Sequence, residues 1–434
     1  MFHLGWFTNP IPHGWTPSGR DVWAGNDVLP DTWATGEFLV DMAKSLERAG
    51  FDYIMLEDHV VLGDDESHFE PRLDPIPVAA VIAAATSRLG IVSTMSTSFY
   101  HPFQLARSTT TIDHLSRGRS GWNMVTSTED RGARAFGQDG QPAHDERYDR
   151  ADDFLDIVEK LWAGWDEDAL VIQDEGGRYV DATKVHSGPI EGKYNSSYSP
   201  LNVPRGPQGR PVLCQAGSSP RGRDFAAKHA DTVIATTFGL NSVSALKEFR
   251  DDLRERMVKF GRNPDDCKVL FLITPTVGET EEEALEADRR LNDPTPAIID
   301  QTLSRLSFHT EHDWGQYDLD QPLPELDVES MTEGYQGMAR AFLALGHPGD
   351  TLREIIGRHR TGSLDLVGTP AQVAQKMGEV IDEIGGDGFL IQRRPLTRRY
   401  ITEICEGLVP ELQKRGLVRS SYEFPTFREN LLAF

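Results

Sequence analysis

Cysteine is scarce in this chain: Cys214, Cys267 and Cys405 are three among 434 residues. They are too widely spaced for a disulfide framework or a metal-ligand pair, so a reduced, cytoplasmic setting and no metal are expected. No apolar run approaches the roughly 18 residues of a membrane span. The opening stretch MFHLGWFTNP lacks a basic region followed by an apolar one, so no signal peptide is expected. Basic residues are in deficit, 44 Lys and Arg against 68 Asp and Glu, and the net charge of -24 argues against a nucleic acid or an anionic membrane as partner. Solenoid repeats and low-complexity tracts are missing. No GxGxxG turn follows a predicted strand, which excludes a built-in nicotinamide domain. No HxH pair stands at a strand end, which disfavours a metal-dependent barrel hydrolase.

What is present is a regular alternation. Strands are predicted at His3–Thr8, Phe51–Leu56, Leu89–Met95, Ser120–Thr126, Pro211–Ala216, Asp231–Thr236, Lys268–Val277 and Gly388–Gln392. Helices are predicted between them, at about 36–49, 78–87, 102–115, 149–163, 220–229, 242–260 and 279–290, and from Thr369-Pro370 onward, with a C-terminal helix ending near Gly416. The helix at 36–49 illustrates the logic. Leu39, Met42, Ala43, Leu46 and Ala49 form one apolar face, and Gly50 ends it. Eight such units in a chain of this length, with no composition shift, predict a single (β/α)8 barrel domain over residues 1–434. A doubly wound open sheet is the alternative. Two segments, about 166–210 and 291–360, are too long for simple connections and read as insertions after strands four and seven.

The stretch RSGWNMVTST, residues 119–128, organises the functional reading. A strand that runs out into Thr126, Ser127 and Thr128 presents hydroxyls at its C-terminal edge, where parallel α/β proteins bind ligands. A buried strand with a polar exit is the plain alternative. Strand five runs into AGSSPRG: Gly217 permits a tight turn, Ser219 suits an N-cap and Pro220 the first helical position. Backbone N–H groups freed at such a helix start bind phosphate, although an ordinary capped helix has the same pattern.

GWNMVTS at 121–127 resembles the GWNxVTS signature of the bacterial-luciferase-like flavin monooxygenases, in the branch of the nitrilotriacetate, dibenzothiophene-sulfone and long-chain-alkane enzymes. The resemblance continues through HDERY at 144–148, PVLCQAGSSPRGRDFAAKHAD at 211–231, VGTP at 367–370 and VPELQKRGL at 409–417, nearly end to end. It implies an FMN-dependent monooxygenase of a two-component system. A separate NAD(P)H:flavin reductase would supply reduced FMN, and reaction with O2 would give a peroxyflavin that oxygenates a small organic substrate. It also implies a homodimer or homotetramer. Flavin contacts carry over to Asp58, Thr94, Asn123, Ser127, His144 and Tyr148, and phosphate contacts to Ser218 and Ser219. Many members have Ala before the Asp, where this chain has Glu57, and the long-chain-alkane branch has His after VTS, where this chain has Thr128. For proton handling the candidates are His13 in the first βα loop and His309 in the second insertion, with His312 beside it. Trp6, Trp15, Phe99, Phe238 and Trp314 are expected at the strand ends as an apolar pocket, which favours a largely nonpolar or organosulfur substrate. The insertion at 291–360 is expected to cover the flavin as a lid. A deazaflavin (F420) oxidoreductase on the same barrel, or a non-catalytic flavin binder, are the rival readings.

Overall fold

The computed structural model describes residues 1–8, 33–62, 71–171, 177–235, 242–331, 336–358, 364–393 and 396–434. His13, Trp15 and Phe238 lie outside the described residues. Eight parallel strands close a barrel: β1 His3–Thr8, β2 Tyr53–Leu56, β3 Gly90–Ser96, β4 Ser120–Val125, β5 Val212–Gln215, β6 Thr232–Ala235, β7 Lys268–Ile273 and β8 Gly388–Ile391. Each strand pairs with its sequence neighbour, and β1 pairs with β8, His3 opposite Gly388 through Trp6 opposite Ile391. The (β/α)8 expectation is therefore met.

The strands are apolar on both faces because both faces are covered. Met55, Val92, Val212, Ile234, Leu270 and Leu390 pack together in one cluster, and the alternating Ile54, Leu56, Ile91, Val233, Phe271 and Phe389 pack against the helical layer in another. A two-residue period sorts the strands into barrel interior and exterior. A C-terminal helix, Phe427–Leu431, inserts Phe427 and Leu431 into the interior cluster. A Cβ on Gly90 would fall 2.6 Å from the Phe427 ring, so the glycine there makes room for the plug.

Several boundaries differ from expectation. The run predicted as one strand over Lys268–Val277 divides: β7 stops at Ile273, and Thr276–Val277 pairs instead with Val367–Gly368. Pro275 cannot donate to a ladder, which breaks the run there. The fourth helix starts at His144 and ends at Trp162, so HDERY forms its first turns and does not precede it. The C-terminal helix is split by a π-helical turn, Glu403–Leu408, ahead of Pro410. Within the first insertion lies an antiparallel hairpin, Gly188–Glu191 with Ser196–Ser199. The second insertion is helical, with helices Pro296–Thr310, Val328–Met331, Gln336–Leu343 and Leu352–Arg358. These enclose a core of their own that includes Ile299, Leu306, Trp314, Met338, Phe342 and Ile355.

Of the expected aromatic pocket, the three described members, Trp6, Phe99 and Trp314, do not come together. Trp6 packs outside the barrel against Phe51 and Tyr400, with ring centroids 5.8 and 6.0 Å away. Phe99 stacks on Phe136 at 4.8 Å, and Trp314 meets Phe342 at 5.2 Å inside the insertion. Each satisfies its own local packing and is buried there. No described helix is long and apolar enough to cross a membrane.

Candidate active site

A cavity of about 980 Å³ opens at the C-terminal ends of the strands. Asp58, Thr94, Asn123, Ser127, His144, Tyr148, Ser218, Ser219 and His309 all line it. His312 does not; its ring contacts Tyr317 Oη at 2.9 Å within the insertion.

Thr94 and Asn123 are register partners on β3 and β4, and Asn123 Nδ2 donates to Thr94 Oγ1 at 3.0 Å. Asn123 Oδ1 is buried and accepts no hydrogen bond from the described residues. Ser127 follows in a left-handed conformation, φ 52°, and its hydroxyl donates to Ser96 Oγ at 2.8 Å. A non-glycine residue held there is a mark of local constraint, found often at binding sites.

On the neighbouring strand, where Asn123 is in register with Cys214, β5 feeds the helix Pro220–His229. Ser219 is its N-cap and accepts from Gly222 N–H at 3.1 Å, as expected from Ser219-Pro220. A Cβ on Gly217 would sit 2.8 Å from Tyr148 Oη, and one on Gly222 would sit 2.7 Å from it. Glycine at both positions lets the loop close against Tyr148. Arg221 is held by Asp149 and Asp152 at 2.9 and 2.7 Å, and Arg223 by Asp252 at 2.8 Å. His144 Nδ1 pairs with Asp145 at 2.7 Å on the rim.

Two residues that the sequence reading passed over stand at the centre of the charged wall. His59 follows Asp58 at the exit of β2. Its Nε2 faces Glu57 Oε1 at 3.3 Å, and its Nδ1 faces Glu129 Oε1 at 3.5 Å. Arg72 reaches Glu57 at 3.6 Å. Burial and Arg72 push the His59 imidazole down, but the two carboxylates outweigh them and hold it at about 9. Burial raises Glu129, and contact with His59 more than reverses this, leaving it well below the usual carboxylate range. Asp58 is pushed up to about 6 by burial, against the pull of His59 and Arg72. His309 sits with its ring centroid 5.3 Å from that of His59. Burial first, then the positive charges of His59 and Arg305, hold it well below the ordinary histidine value. The acidic triplet-like exits EDH and TED carried a faint signal, but only the barrel register brings them together. The second insertion adds Arg305, Met338 and Arg340 to the lining. Among the described residues no group of three or more His, Cys, Asp or Glu could hold a metal ion.

Residues 4–388 match the family described as luciferase-like monooxygenase. The chain belongs to this family. The luciferase-like monooxygenase is 35% identical over 414 residues to N-acetyl-S-(2-succino)cysteine monooxygenase of Bacillus subtilis, covering 94% of this chain and 92% of that protein. It is 35% identical over 427 residues to dibenzothiophene-sulfone monooxygenase of Rhodococcus erythropolis, covering 95% and 92%. Among solved structures, riboflavin lyase with modified FMN and substrate riboflavin superposes with a TM-score of 0.85 at 33% identity, covering 100% of this chain and 96% of that one. A flavin-dependent monooxygenase built on a (β/α)8 barrel is thus the identity of the chain at family level.

Proposed function

We propose that the chain binds reduced FMN delivered by a separate NAD(P)H:flavin reductase and uses it with O2 to oxygenate a small organosulfur compound. The observation that carries this reading is the presence, on adjacent strands lining one cavity, of a buried acceptor with no donor among the described residues, Asn123 Oδ1, and a glycine-lined helix start at Gly217–Ser219. The first suits the N–H edge of a flavin ring, and the second suits a phosphate. Reduced FMN, when bound, supplies the O2-activating chemistry.

The chain's own residues do the rest. Ser218, Ser219 and the start of the helix they open grip the phosphate. Thr94 and Asn123 orient the ring, with Asp58, Ser127, His144 and Tyr148 completing its surroundings. The second insertion contributes Met338, Ala341 and Ala344 to the wall and so excludes water from the reacting face. His309, kept neutral, accepts a proton there. The wall is apolar at Phe7, Val60, Ile234 and Leu272 and charged at His59, Arg305 and Arg340. A substrate with a sulfur-bearing body and a polar end suits it better than a wholly nonpolar one. Both relatives named above carry sulfur compounds in their names.

The test is a reductase-coupled assay with FMN, NADH and a panel of thioethers, sulfones and sulfonates, read by a product mass gain of one oxygen. Product that requires both FMN and the reductase is expected. No such product, or O2-independent hydride transfer with F420, would overturn the reading.

A further inference from the structure

We infer that His59, clamped between Glu57 and Glu129, is a fixed cation that sets His309 as the neutral member of an acid–base pair on the cavity wall. This makes His59 a positioning residue, and the inference rests on the proposed role of His309 as proton acceptor.

The geometry requires it. Both ring nitrogens of His59 face carboxylate oxygens, at 3.3 and 3.5 Å. A neutral imidazole has one N–H and one lone pair, and a lone pair aimed at a carboxylate is repelled. Only the doubly protonated ring fits both. The groups facing the pair come from several segments. Glu57 and Asp58 leave β2, Arg72 precedes the second helix, Glu129 leaves β4, and Arg305 shares a helix with His309. Three carboxyl groups thus face three cations once His59 is counted. A second imidazolium 5.3 Å from the first would be in excess, and Phe308 packs on both rings, at 5.8 Å from His59 and 5.2 Å from His309. Like charges in such a site are not both retained. His59 therefore holds the proton and His309 keeps its lone pair. Glu57 supplies half of the clamp.

The experiment uses the full chain labelled with 15N-histidine, with ring-nitrogen NMR shifts followed from pH 5 to 10. In the unmodified protein the His59 midpoint is expected near 9, in line with the clamp, and that of His309 below the ordinary histidine value. His59→Gln removes the first signal, and the midpoint of His309 rises by a pH unit or more, because a neighbouring cation is gone and the three carboxyl groups now outnumber the two remaining cations. An unchanged His309 midpoint overturns the inference. Should His59→Gln fail to fold, Glu129→Gln takes its place: the His59 midpoint must fall by a unit or more, and an unmoved midpoint overturns the clamp. These titrations need no turnover. In the reductase-coupled assay, the acid limb of kcat/KM should move upward in His59→Gln together with His309. An acid limb that stays while His309 moves overturns the catalytic use of the pair and removes His309 from the reaction. Absence of FMN-dependent product in any variant, with both titrations as expected, strikes the proposed function instead.

Discussion

Asn123 donates through Nδ2 to Thr94, and its buried Oδ1 has no donor among the described residues. Reversing the amide exchanges the two atoms but still leaves one unpaired. A buried unsatisfied polar atom costs roughly 1–3 kcal/mol, while the bond to Thr94 returns only about 1 kcal/mol. Asn123→Ala is therefore expected to leave the FMN-free protein as stable as before, or slightly more so, while FMN affinity falls by tenfold or more. Urea unfolding and flavin fluorescence quenching measure the two sides separately. A variant that loses stability and keeps its affinity would show that Asn123 serves the core and not the cofactor. At this scale the sequence was informative where a motif names a residue, as with Asn123, Tyr148 and Ser219. On His59 and Glu129, far apart along the chain, it gave only the faint signal of charged residues at two strand exits. Their chemistry arises from a contact that no local pattern encodes.

The elements were more legible than the contacts because their signals are local. The helix Pro220–His229 falls where 220–229 was expected, since Ser219, Pro220 and the apolar Phe225, Ala226 and Ala227 mark its start and its buried face. The misplacements have equally local causes. Pro275 cut a strand that hydropathy ran through, and the polar face of HDERY hid the first turns of a helix whose buried face begins at Arg147 and Tyr148. Trp6, Phe99 and Trp314 went to separate places because apolarity predicts burial but does not say in which cavity or core. The glycine-lined turn gives the test at this scale. In Gly222→Ala the new Cβ would meet Tyr148 Oη at 2.7 Å and Gly217 Cα at 3.1 Å. Relief requires the loop to retreat from Tyr148, at a cost of about 1–3 kcal/mol. Affinity for FMN should then fall more than affinity for riboflavin, which lacks the phosphate. Equal losses for the two ligands would detach this helix start from the phosphate.

Across the whole molecule the barrel that carries the site is closed at the end away from it by the chain's last segment. The chain's last segment returns to the first strands, where Arg419 binds Asp52 Oδ1 at 2.7 Å and donates to the side-chain and backbone oxygens of Asn430 at 3.0 and 2.7 Å. Asp52 also takes His3 Nδ1 at 3.0 Å and Leu4 N–H at 2.9 Å. Asn430 in turn lies on the helix that seats Phe427 inside the barrel. Burial alone would raise the Asp52 carboxyl, but His3, Arg419 and the Leu4 amide together bring it below its ordinary value. The linkage has a definite sign. A carboxyl with a depressed folded value stabilises the fold above its unfolded value near 3.9, and that contribution is lost as pH falls through the folded value. Arg419→Met removes one cation and leaves a buried carboxylate under-compensated, which is expected to cost about 3–5 kcal/mol at pH 7. The folded value of Asp52 rises in the variant, so protonation relieves part of the penalty as the pH drops. The gap in unfolding free energy between the two proteins, measured in urea, should therefore narrow between pH 7 and pH 4. A gap that holds constant would mean that Arg419 acts through packing on Tyr422 and Phe434, with ring centroids 5.6 and 5.3 Å from its guanidinium, and not through the charge of Asp52.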